Sequence, residues 1–173
     1  MPAEAARLRA AMRQHLTLVW RVLRRLGLSE WDADEAAQDV FLVLFRRLGD
    51  VPVRAQRSFL VSTALRVASD RRRSAAAHAL APLEPELPSP GLPPDELVAL
   101  RRARDLLDEA LDALNPEQRA VFVLVEMEEL GGPEVAEVLG IPPGTVASRL
   151  RKARQVFDAA VRRMRLRELR RGA

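Results

Sequence analysis

The chain has 173 residues and a mass of 19.3 kDa, enough for one ordinary domain or two very small ones. It carries 28 basic residues against 24 acidic ones, a net charge of +4, and every basic residue except Lys152 is Arg. With no Cys and only His15 and His78 as imidazoles, disulfides, thiolate metal sites and a Cys nucleophile are excluded, and little is left for zinc or a His-based triad. No apolar run approaches the roughly 18–20 residues of a membrane span. Met1 to Arg9 also lacks an apolar signal core. A cytoplasmic protein with a polyanionic partner and no membrane insertion is expected.

Charge is unevenly placed. Residues 141–173 hold ten basic residues and two acidic ones, and residues 54–73 hold six Arg and one Asp. Each block suits a nucleic-acid strand. Residues 30–39 hold five acids and no base, so that block needs a different partner.

Taken in chain order, Leu8, Met12, Leu16, Val19, Leu23 and Leu26 recur at helical spacing and predict a first helix stopped by Gly27. Asp32 is the expected N-cap of a second helix, with Glu35 completing a capping box. Ala33, Ala36, Ala37, Val40, Phe41, Leu44, Phe45 and Leu48 form its apolar stripe, and Gly49 ends it. A third helix is predicted from Arg57 to about Ala77, with Phe59, Leu60, Thr63, Ala64 and Val67 facing inward. Six of the twelve prolines fall between residues 78 and 95, which marks an extended, mobile joint. The expected division is a helical domain over 1–77, a Pro-rich linker over 78–95 and a second helical domain over 96–173. The fold class is all-α, with no strand pattern anywhere.

The second half opens with a helix from about Asp95, carrying Leu97, Leu100, Leu107, Leu111 and Leu114. Asn115-Pro116-Glu117-Gln118 restarts the chain as a helix, with an N-cap, a proline at the first helical position and Gln for a capping box. Gly131, Gly132 and Pro133 break it. In residues 133–154 a short helix carries Val135, Ala136 and Leu139. Gly140 ends it, Pro142-Pro143-Gly144 turns the chain, and a second helix starts near Thr145 with Val146 and Leu150 inward. This is a helix-turn-helix. The outer face of its second helix presents Thr145, Ala147, Ser148, Arg149, Arg151 and Lys152, side chains suited to base edges and phosphate.

With both halves laid out, the chain resembles a bacterial sigma factor of the extracytoplasmic-function (ECF) group, the small two-domain members of the sigma-70 family. Leu114 to Leu124 and Glu134 to Arg154 are similar to the family's region 4, which reads the promoter −35 element. Asp32 to Phe45 resembles region 2.2, the main docking helix for core RNA polymerase. Ser58 to Arg73 resembles regions 2.3 and 2.4, which open and read the −10 element. The resemblance implies that Asp34, Glu35, Gln38 and Asp39 face the β′ clamp helices, and that the second domain meets the β flap. It implies −10 phosphate contacts from Arg66, Arg71, Arg72 and Arg73, and −35 contacts from the six outer residues of the helix-turn-helix. The family commonly has Trp where Phe59 stands and a basic residue where Ser62 stands. Promoter DNA, core polymerase and an anti-sigma factor are the partners it implies.

The alternative is a helix-turn-helix regulator that acts without polymerase docking, whose half-sites would lie one helical turn apart. An enzyme is not expected. Adjacent carboxylates such as Asp34/Glu35 and Glu128/Glu129 do not converge on a helix, and there is no Glu-x-x-His pair, Gly-rich phosphate loop or Cys/His cluster. Accordingly no catalytic residue, metal, cofactor or small-molecule substrate is expected.

Overall fold

The structure, a computed structural model, describes residues 2–77 and 94–171. Helices and turns make up the described residues, with no strand among them. The expected joint at 78–95 lies outside them, except for Pro94 and Asp95, which begin a helix.

The first half is three helices: α1 (Pro2–Arg25), α2 (Glu30–Arg46) and α3 (Gln56–Ala77), the last entered through one 3₁₀ turn at Val53–Ala55. α1, α2 and α3 each pack on the other two. Ala33, Ala36 and Ala37 have almost no exposed surface, and such small side chains let helices approach closely. Around them Val19, Val22, Leu23, Val40, Leu44, Leu60, Val61 and Ala64 are fully buried.

The stripe of α1 is rotated from its predicted position. Ala11, His15, Val19, Val22, Leu23 and Leu26 are buried, whereas Met12 and Leu16 are 36% and 43% exposed. The steps of four from Leu8 to Leu16 follow a line that drifts off the core face, since a helix turns every 3.6 residues. The cap of α2 also differs. Ser29, not Asp32, is the N-cap, and its hydroxyl accepts the Asp32 amide at 3.0 Å. Phe45 stands 46% exposed at the end of α2, while Phe41 is buried.

The second half comprises α4 (Pro94–Asp112), α5 (Pro116–Phe122), α6 (Gly132–Leu139) and α7 (Pro143–Arg171). α5 starts with the predicted capping box: Gln118 N donates to Asn115 Oδ1 at 2.9 Å, and Asn115 N donates to Gln118 Oε1 at 3.2 Å. It continues as a π-type turn over Val123–Met127, closed by the Glu128 amide on the Val123 carbonyl at 3.0 Å. Phe122 stacks on Phe157 of α7 with centroids 4.6 Å apart. Further along, Ala160 and Met164 of α7 pack on Ala110 of α4.

The two halves are packed together. Val121, Leu124, Leu130, Val135, Ala136 and Val146 belong to the same apolar cluster as the three-helix core. The Glu128 side chain has no exposed surface and is met by Arg21 and by Arg25 of α1, the first at 2.6 Å. Arg25 also donates to the Met127 carbonyl at 3.0 Å, and Arg119 donates to the Arg25 carbonyl at 2.7 Å. Gly27, with φ +96°, lets Arg119 lie flat beside it: a Cβ there would stand 3.3 Å from the guanidinium. At the far side Arg57 of α3 pairs with Glu134 of α6 at 2.8 Å.

His15 is buried on α1, and burial, with a smaller contribution from the Arg57 charge, holds its imidazole below the ordinary value of 6.5. The unfolded chain therefore takes up a proton that the folded chain resists. The stability tied to His15 is complete above its unfolded pKa and is lost as pH falls through the lowered folded value. Thermal melts followed from about pH 8 to about pH 5 should show a falling midpoint, and His15→Leu should flatten that part of the curve.

Candidate nucleic-acid and polymerase interfaces

The helix-turn-helix is built by local chemistry. Gly140, with φ +64°, ends α6 in the left-handed conformation, and the Ile141 amide donates to the Ala136 carbonyl at 3.0 Å. The amides of Thr145 and Val146 donate to the Pro142 carbonyl at 2.9 and 3.2 Å, which starts the first turn of α7. Val146 and Ala153 are buried, and Leu150 packs beside them, so the opposite side of α7 is turned outward. Ala147, Arg151 and Lys152 are exposed there; Thr145 and Ser148 are half-buried, with the Ser148 hydroxyl donating to the Thr145 carbonyl at 3.0 Å. Arg149 lies at the edge of this face and pairs with Glu117 of α5 at 2.8 Å. No acid close in the sequence marks that partner, because the pair forms between two helices.

On α3, Arg66, Arg72 and Arg73 run along one side. Arg66 is exposed, Arg72 reaches the Leu26 carbonyl at 3.5 Å, and Arg73 pairs with Asp70. Arg71 points the other way, into α2, and meets Asp39 at 2.7 Å and Glu35 at 3.0 Å. Burial alone would lower its pKa, but the hydrogen bonds and charges of Asp39 and Glu35 outweigh that and hold the guanidinium above its ordinary value. Two residues expected to face polymerase are thus tied to one expected to face DNA.

The remaining two docking candidates lie on the other side of α2. Asp34 accepts the Trp20 indole N–H at 2.8 Å, and Gln38 lines a groove of about 490 Å³ between α1 and α2. Met12, Leu16, Trp20 and Phe41 complete that groove. Met12 and Leu16 were hidden in the sequence by their place in an apolar periodicity that looked like core.

Comparison with known proteins matches residues 11–78 to the sigma-70 region 2 family and residues 104–156 to sigma-70 region 4. The ECF sigma factor SigE of Mycolicibacterium smegmatis is 31% identical over 83% of this chain and 57% of its own length. The ferric citrate uptake sigma factor FecI of Escherichia coli is 35% identical over 72% of this chain and 73% of its own. The fold is also that of CnrH, solved with the cytosolic domain of CnrY (TM-score 0.63, 24% identity, 88% of this chain and 85% of that one). It is likewise that of RpoE, solved with the anti-sigma factor NepR from Bartonella quintana (TM-score 0.64, 17% identity, 89% and 96%). Because the first half is itself matched by region 2, a helix-turn-helix regulator without polymerase docking is not favoured.

The Arg71 clasp is partly exposed, and such pairs contribute about 0–1 kcal/mol. Arg71→Ala should therefore lower stability by no more than about 1 kcal/mol in urea unfolding. These features together place the chain in the sigma-70 family, as an RNA polymerase sigma factor of the ECF group.

Proposed function

We propose that this sigma factor joins core RNA polymerase through the outer face of α2 and directs it to promoters by engaging DNA at two places. The observation that carries the reading is the helix-turn-helix, whose second helix turns Ala147, Arg151 and Lys152 to solvent beside Thr145, Ser148 and Arg149. In this reading the start of α7 enters the major groove at the −35 element, where Arg149 places two donors on a guanine once it leaves Glu117. Arg151 and Lys152 hold the backbone. Arg66, Arg72 and Arg73 hold phosphates near the −10 element.

Core docking is assigned to Asp34 and Gln38 at the groove, with Glu35 and Asp39 alongside. Arg71 serves the docking face by holding Glu35 and Asp39 in place, and reaches DNA only if that clasp opens. The second half meets the β flap. An anti-sigma factor is a further partner, supported by the likeness to sigma factors solved with CnrY and with NepR. The chain acts in the cytoplasm, where polymerase is, and carries no catalytic step of its own.

Run-off transcription from a matching promoter should require both this chain and core polymerase. Transcription by core alone, or none with both, would reject the reading. Gln38→Arg with Asp39→Arg should abolish co-elution with core while the circular dichroism spectrum stays helical; retained co-elution would remove α2 from the docking surface. Arg149→Ala should relax preference at one or two −35 base pairs, a discrimination of roughly 1–3 kcal/mol. Lys152→Ala should weaken all −35 sequences alike, and a substitution series across the element separates the two effects.

A further inference from the structure

A gap of about 610 Å³ lies among α1, α3, α5, α6 and α7. Much of its wall is apolar, formed by Leu26, Leu65, Ala68, Ala120 and Leu139. The guanidiniums of Arg72, Arg73 and Arg149 stand on the same lining with one carboxylate, Glu117. Two of these cations are already matched, Arg149 by Glu117 at 2.8 Å and Arg73 by Asp70. Arg72 is not. It is half-buried, donates to the Leu26 carbonyl at 3.5 Å, and is met by no carboxylate among the described residues.

A half-buried cation against an apolar wall has given up part of its hydration and gained no counter-charge in return, which is unfavourable. A small anion corrects both. The volume is that of a small-molecule site, apolar with a few polar groups that orient the ligand. It holds little more than one turn of a helix about 10 Å across, so a helical peptide does not fit unless the walls move apart.

We propose that this gap binds a small amphipathic anion, a molecule with an apolar body and one carboxylate. The body lies on Leu26 and Leu65 of the first half and on Ala120 and Leu139 of the second. The carboxylate pairs with Arg72. A ligand so placed withdraws Arg72 from phosphate, and by linkage it and promoter DNA weaken each other's binding. That consequence rests on the −10 assignment of Arg72 made above; the binding does not.

The test uses the full chain and isothermal calorimetry. The probes are octanoate, decanoate and 1-naphthoate, kept below micelle formation. At least one should bind, at one site per chain. Acetate, a head without a body, and decylammonium, with the charge reversed, should not. Arg72→Gln should weaken the best probe about 10- to 100-fold, the size of one charge-assisted hydrogen bond. Arg73→Gln should weaken it by no more than about 5-fold, because that guanidinium is exposed and already paired. Ser69 is exposed on the lining, so Ser69→Phe should fill the gap and remove binding, while Ser69→Ala retains it. Circular dichroism checks that each variant stays helical.

Failure of all three probes, or equal binding of decylammonium, would overturn the proposal. Equal losses in Arg72→Gln and Arg73→Gln would reduce the site to a diffuse basic surface, and retained binding in Ser69→Phe would move the ligand elsewhere; either result also rejects it. Run-off transcription without a probe tests the promoter reading by itself. If the wild-type chain with core is inactive, that reading falls and calorimetry still decides the site. If it is active, the best probe should inhibit wild type and spare Ser69→Phe. An unaffected wild type would remove the competition with DNA.

Discussion

A carboxylate taken wholly out of water has to be met by positive charge, and Glu128 is such a carboxylate. Its two arginines project from successive turns of α1, the helix at the base of the first half. The second half therefore has one corner whose position is set by charge rather than by packing alone. Apolar contacts are tolerant of sliding; a buried charge between two guanidiniums is not. The backbone bonds from Arg25 and Arg119 sharpen that choice, and Gly27 is the residue that lets Arg119 lie close enough to make its bond.

Within the first half a different constraint governs. α2 is held on both flanks, and its alanines let α1 and α3 come near. The polar residues it leaves outside divide by flank. Asp34 and Gln38 belong to the side of α1 and its apolar groove; Glu35 and Asp39 belong to the side of α3 and its arginine. A partner that lies along α2 meets two chemically different edges, one apolar and hydrogen-bonding, the other an ion-pair cluster that is already satisfied. Displacing Arg71 from that cluster is a cost the partner's own cations have to offset.

Much of this was legible in the sequence where local chemistry decides it. Gly140 ending α6 and Asn115 opening α5 with Gln118 need only residues a few positions apart, and both stand where expected. The helical periods placed α3 within a residue. Local rules failed where two answers were equally local: Ser29 and Asp32 are both good caps, and the choice fell to Ser29. They failed again along α1, where Met12 and Leu16 imitate a core stripe while Ala11 and His15 occupy the core. What could not be read at all is pairing across distance. Arg149 with Glu117, Arg71 with Glu35 and Asp39, and Glu128 with Arg21 and Arg25 join helices whose meeting depends on the whole fold.

One further consequence lies in α7. It runs unbroken for 29 residues, about 44 Å at 1.5 Å per residue. Its first turns carry the helix-turn-helix; its last turns are strapped to α4 by Glu168 with Arg102 and by Arg167 with Glu109, each at 2.7 Å. Such a rod acts as a lever with its fulcrum at Phe157, where α5 stacks against it. A torque applied at the recognition end is delivered, undiminished by any hinge, to Arg102 and Glu109 of α4. The angle of the recognition helix and the set of α4 are then one mechanical variable.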